Sequence, residues 1–194
     1  VPTLRRVRRI SSAQRTDSIS GTEFTFDDLR SFYGIVPQYE WECLGEMDMI
    51  GPTNTKVKGF PYNRDHNFGP YGLSFADDRW EMRHVFKVRF RPKNEDHPYH
   101  HKDIYVDKQT YNALYSFAYD RKKELWKIIW HNHRWSEDDP DYYPGWEGVP
   151  KPDDMKVVSD TIINVQTGTG NRIEFWDNSG TPLKSKGKVR RYID

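Results

Sequence analysis

Cysteine is almost absent: Cys43 is the single one, so the chain forms no internal disulfide. That excludes a disulfide-stapled scaffold, but it does not exclude the periplasm. Long hydrophobic runs are missing too. A membrane-spanning helix needs about 20 apolar residues, and the densest cluster, Trp126–Trp130, is short and contains Lys127. Nor is there an excess of one charge. Thirty Lys+Arg stand against 29 Asp+Glu, a net +1, so charge alone implies neither nucleic acid nor an acidic membrane surface. The chain opens at Val1 with no secretory leader pattern, as a processed or trimmed protein would. What is abundant is aromatic surface: 7 Trp, 12 Tyr and 10 Phe in a chain only 35% hydrophobic. Large rings bury much area per residue and favour strands over helices. At 194 residues the simplest organisation is one domain.

Punctuation along the chain divides it into strands and loops. Leu4–Ile10 reads as a strand with an arginine-rich exposed face, with a nucleic-acid arm as the weaker alternative. Residues 11–21 are a polar loop. Thr25 followed by Asp27 and Asp28 reads as a helix start, predicting a short helix over Phe26–Tyr33 ended by Gly34. Tyr39–Ile50 is a strand broken by Gly51 and Pro52. Lys58–Asp78 and Trp135–Lys156 are long loops rich in Gly, Pro and acids. Trp80–Arg91 is the cleanest strand, with Trp80, Met82, His84, Phe86, Val88 and Phe90 on one face. The stretch His101–Trp135 allows a helix, but its Tyr and Trp content and polar turns favour three strands. In that reading Tyr111, Ala113, Tyr115, Phe117 and Tyr119 align, as do Glu124, Trp126, Ile128 and Trp130. Val157–Val165 and Asn171–Asp177 form a hairpin. The basic tail from Lys184 to Arg191 is solvated.

Catalytic chemistry is hard to assemble from these residues. There is no G-x-S-x-G elbow and no phosphate-binding glycine loop. The acid pairs Asp27/Asp28, Asp77/Asp78, Asp138/Asp139 and Asp153/Asp154 are adjacent, so each pair points apart or sits in a solvated loop. Glycosidase carboxylates must instead face one another across a cleft. His97, His100 and His101 cluster, and His131 and His133 alternate on a strand, but the spacing fits no compact zinc motif. Cys43, inside a strand beside Glu42, reads as a buried structural thiol. The expectation is therefore no enzyme, no metal and no cofactor.

Several blocks, taken in order, resemble a known family. They are Arg5-Arg6-Val7-Arg8-Arg9, Tyr39-Glu40-Trp41 leading to Leu44-Gly45-Glu46-Met47, Ile104-Tyr105-Val106-Asp107, and above all the run from Tyr119 to Lys127. This set is similar to the bacterial domain-of-unknown-function family 1329, grouped with the lipoprotein carriers LolA and LolB. The resemblance implies a curved, incomplete antiparallel barrel with helices at its mouth and an apolar cavity suited to acyl chains. It also implies the periplasm or outer membrane of a Gram-negative bacterium, with a resistance-nodulation-division type transporter as an associated partner. The chain departs from the family at Lys123, where a glycine is usual, and at Thr53 between Pro52 and Asn54. Family chains also usually carry a substantial region before the arginine block, so residues 1–194 are expected to be one LolA/LolB-like domain lacking that part.

These readings converge on a mainly β (α+β) domain with few short helices. It holds a lipid or other hydrophobic molecule without chemistry and has no nucleic-acid partner. The expected cavity lining is Trp80, Met82, Phe86, Val88, Phe90, Tyr115, Phe117, Trp126, Ile128 and Trp130. The alternative is an interaction module with a filled core that docks to an envelope transporter.

Overall fold

The computed structural model describes residues 15–55, 79–135 and 155–175. Seven strands run along it: β1 Tyr39–Gly51, β2 Glu81–Pro92, β3 Tyr99–Asp107, β4 Ala113–Asp120, β5 Leu125–Trp135, β6 Met155–Asn164 and β7 Thr169–Glu174. Each pairs antiparallel with the next, giving one open sheet in the order β1 to β7. The three strands expected within His101–Trp135 are present as β3, β4 and β5. The strand over Leu4–Ile10, the loop Lys58–Asp78, nearly all of Trp135–Lys156 and the basic tail lie outside the described residues.

Side-chain chemistry explains the turns. Between β4 and β5, the Asp120 carboxylate accepts the backbone N–H groups of Lys122 and Glu124. Between β6 and β7, the Asn164 side-chain oxygen does the same for Gln166 and Thr167. Such local acceptors let Asp and Asn set a turn with their own side chains. The hairpin at Lys123 forms despite the missing family glycine, with Lys123 itself at φ 69°.

The register also decides the faces. Residues opposite one another across a ladder share a face, and a bulge resets the alternation. One line runs Cys43, Val88, Ile104, Ser116, Ile129, Ile162, Asn171. The neighbouring line on the opposite face runs Gly45, Lys87, Tyr105, Tyr115, Trp130, Thr161, Arg172. In β1 the extra residue is Leu44, and Gly45 beside it sits at φ 113°, a conformation that favours glycine.

Residues 15–38 form a strap across the first of these faces. It holds a 3-10 turn at Phe26–Ser31 and another at Val36–Gln38. The helix expected over Phe26–Tyr33 is therefore shorter and broken. Leu29 leaves helical geometry, and Arg30 and Ser31 both take positive φ. The cause is the floor beneath: the Lys102 ammonium takes the carbonyls of Asp27 and Ser31, which turns the chain away from a helical path. Beneath the strap Phe24, Ile129 and Ile162 form one apolar cluster, and Tyr39, Phe90 and Ile104 another. A third, around Val85, Tyr105, Leu114 and Met155, serves the opposite face.

Candidate functional site

Polar groups fasten the strap to the sheet. Asp28 is fully buried, and its carboxylate receives Lys102 Nζ at 2.8 Å and the Tyr99 hydroxyl at 2.8 Å. It also accepts the Thr25 backbone N–H and hydroxyl, and Lys127 Nζ lies 3.5 Å away. Burial alone would raise the Asp28 pKa, but the Lys102 and Lys127 charges outweigh it and hold the group at about 2. The same burial lowers Lys127, against the pull of Asp28. Tyr99 is pushed well above its ordinary value by burial and by the adjacent carboxylate. Asp27 turns the other way, to Arg15 and His97. Its burial is likewise outweighed, by hydrogen bonds from His97 and Arg15.

A second fastening uses the strained residue of the strap. Ser31 Oγ lies 2.6 Å from His131 Nε2, and His131 Nδ1 lies 2.5 Å from Asp160. A hydroxyl on Nε2 and a carboxylate on Nδ1 is the connectivity of a serine-hydrolase relay. A nucleophile must meet its substrate, however, and all three side chains are completely buried. In this state the chain of bonds is a clamp joining strap, β5 and β6. Beside it His133 is also fully buried, and burial pushes its pKa down to about 3.

Where the strap meets β1, rings take over. Phe32 packs edge-on against Tyr39, Trp41 and Phe90, with centroids 5.0, 4.9 and 5.3 Å away. Gly34 is required there, since a Cβ would stand 2.7 Å from the Phe32 and Tyr39 rings. The Trp41 indole N–H also bonds the Val36 carbonyl. Past Phe32 the same face continues through Val88, Phe86 and Val106, which are only half-buried, to Trp41, 39% exposed. A cleft of about 710 Å³ of mixed polarity opens at the junction, lined among others by Arg15, Asp27, Tyr39, Lys93 and His97.

The ten residues expected to line one cavity do not share a wall. Met82, Phe86, Val88 and Phe90 stand on the strap's face, with Phe90 buried and Met82 67% exposed. Tyr115, Phe117, Ile128 and Trp130 stand on the opposite face, opposite Tyr105 and Asp103 of β3. Trp80 lies against Tyr115, and Trp126 against Tyr99. The register alone separates the two sets: Val88 and Phe90 face Ile104 and Lys102, whose partners in β4 are Ser116 and Ala118, so Tyr115 and Phe117 fall one position off, on the other face. Face-by-face reading of isolated strands misses such an offset.

Other expectations need correcting. Cys43 is exposed, because it lies on an end strand beyond the strap's reach. Asp27 and Asp28 are buried ion-pair partners; they do point apart, as adjacency requires. His101 stacks flat on Tyr119 at 4.2 Å and touches His100, while His97 bonds Asp27. Among the described residues no group of three or more His, Cys, Asp or Glu is arranged to hold a metal ion. The residues that sequence reading missed are Asp28, Lys102, Lys127 and the Ser31–His131–Asp160 set. Their one sequence signal is a lysine at an inward position of a strand, Lys102 beside Ile104 and Lys127 beside Ile129.

Two solved structures share the fold. One is a domain assigned to outer membrane lipoprotein sorting from Vibrio parahaemolyticus, with TM-score 0.54 and 18% identity over 100% of this chain. The other is a DUF1329 family protein from Desulfovibrio piger, with TM-score 0.53 and 16% identity over 94%. The chain spans 63% and 57% of their respective lengths. No curated protein matches it. The model described as "Protein of unknown function (DUF1329)" matches residues 1–191, and the chain belongs to that family.

Proposed function

We propose that this domain is a binding or carrier protein of the bacterial envelope, at the periplasmic side, for a lipid acyl chain or similar hydrophobic ligand. The observation that carries the reading is the incomplete cover that the described residues give one sheet face. The strap seals Phe90 and Ile104, yet leaves Phe86, Val88 and Val106 half-open beside exposed Trp41. Sheet faces that are uncovered and apolar are natural ligand walls. Kinship of fold with a domain assigned to lipoprotein sorting supports the same class of ligand. Each buried methylene contributes about 0.8 kcal/mol, so ten carbons supply roughly 8 kcal/mol before ordering costs, with no specific polar contact. Binding on this surface uses apolar contact and no covalent step.

Titration with a fluorescent fatty acid, alongside native mass spectrometry of protein purified from its source, tests the reading. Val88→Asp is expected to abolish uptake, while Ile163→Ser, a half-buried position on the opposite face, retains it. A source-purified protein with no bound mass and no uptake would sink the proposal. Loss of uptake in Ile163→Ser alone would move the ligand to the other face.

A further inference from the structure

The two end strands of the sheet are unlike. Strand β7 has six residues and is held by the strap: the Glu23 backbone N–H bonds the Asn171 side chain, and Thr169 bonds the Glu23 carboxylate. Strand β1 has thirteen residues, pairs with β2 alone among the described residues, and is exposed along nearly its whole length. Natural sheets blunt such an edge with charged side chains, above all lysine, or with proline, bulges or brevity, and β1 carries only carboxylates and one bulge, which do not repel a basic strand. From Tyr39 to Gly51 there is no Lys, Arg or Pro, and the only interruption is the bulge at Leu44. Apolar side chains stand out along it: Leu44 at 38% exposure, Met47 at 43% and Ile50 at 55%.

Charge indicates what fits there. Across β1, β2 and β3 the paired charges alternate in sign. Acids of β1 meet bases of β2, as Glu42 does Arg91 and Asp48 does His84. Bases of β2 meet acids of β3, as Arg89 does Asp103 and Arg83 does Asp107. A strand laid outside β1 continues this order if it is basic. A second copy of β1 in parallel register would instead bring Glu40, Glu42, Glu46 and Asp48 against their equivalents, and like charges placed opposite one another destabilise a ladder.

We propose that β1 is a docking edge for an extended segment of another polypeptide that alternates basic with apolar residues and adds to the sheet as a further strand. Main-chain hydrogen bonds supply the attachment and the acids of β1 select the partner. This is independent of where a hydrophobic ligand sits.

A fluorescein-labelled peptide of alternating Lys and Val, titrated into the intact chain by anisotropy, is the probe. The expected result is saturable binding, weakened about tenfold or more by the Glu40→Lys, Glu42→Lys double variant and absent for an alternating Glu and Val peptide. Methylating alternate backbone nitrogens of the Lys peptide removes its ladder donors, and it should then fail to bind. This arm needs no altered protein, so it decides the matter even if the double variant does not fold. No binding by the Lys peptide overturns the proposal, as does binding that survives N-methylation, which would mean charge attraction alone. Self-association of the chain in sedimentation would assign the edge to a second copy. Binding that appears only after Arg5, Arg6, Arg8 and Arg9 are changed to Ser would assign it to the chain's own arginine-rich segment. Either result overturns a separate partner.

Discussion

Lys123 occupies the left-handed region, φ 69°, in the turn between β4 and β5. For an L-residue with a side chain that region costs about 1–2 kcal/mol, and glycine escapes the cost. The turn between β6 and β7 uses Gly168 at φ 72° in the equivalent bend. Lys123 is tolerated because Asp120 satisfies three surrounding groups: its carbonyl takes the Lys123 N–H and its carboxylate takes two more. Lys123→Gly is therefore expected to stabilise the protein by up to about 1 kcal/mol, part of the relief being offset by the freer unfolded chain. For a chain of this size that is a rise of about 2–4 °C in Tm by calorimetry. An unchanged or lower Tm would show that the lysine side chain makes a contact worth more than the strain.

The strap is the element in which sequence and structure diverge most. Its hairpin partners were legible: alternation in Trp80–Arg91 and turn residues after Tyr119 mark β2, β4 and β5 correctly. Its fastening was not, because Asp28, Lys102 and Lys127 lie far apart in the chain and each alone reads as an ordinary surface charge. The lining expected at ten positions was split for a comparable reason: which face of β4 matches which face of β2 is set by the pairing register across β3, and a strand read alone does not carry it. Removing one partner of a buried ion pair leaves the others uncompensated, which costs about 3–5 kcal/mol. In Asp28→Asn the lysines Lys102 and Lys127 lose their shared counter-charge. The expected outcome is a strap cut much faster by trypsin, at Arg15 or Arg30, while far-UV dichroism keeps its β signature. Equal cutting in both proteins would mean that the rings around Phe32 hold the strap by themselves.

At the scale of the whole molecule, buried titratable groups set the acid limit of the fold. His133 has a folded pKa near 3 against 6.5 for the free side chain. The unfolded chain therefore takes up that proton first as pH falls, and stability declines from about pH 6.5 downwards. His101, pushed to about 4 by burial and by Arg89, acts in the same sense. Asp28 adds a second window: its depressed pKa of about 2, against 3.8, stabilises above pH 4 and is lost between there and 2. Urea unfolding across pH 3–8 should show this progressive loss. His133→Leu should flatten the upper part of the curve, leaving the contribution of His101. A flat wild-type profile between pH 7 and 4 would show that the fold resists protonation of neither His133 nor His101.

The anchors of the strap also fix an order of events. Strand pairings join neighbours in sequence, and those from β2 to β5 and from β6 to β7 close over short turns. Glu23 instead reaches Asn171, Ser31 reaches His131, and Lys102 reaches back to Asp28, across 148, 100 and 74 positions. The surface that receives the strap is made jointly by β3, β5, β6 and β7 and does not exist until those strands are side by side. In a chain that emerges N-terminal end first, the strap appears before its receiving surface and must wait. Its buried charges stay hydrated until the last hairpin emerges, and Phe24 and Phe32 stay without their apolar clusters for as long.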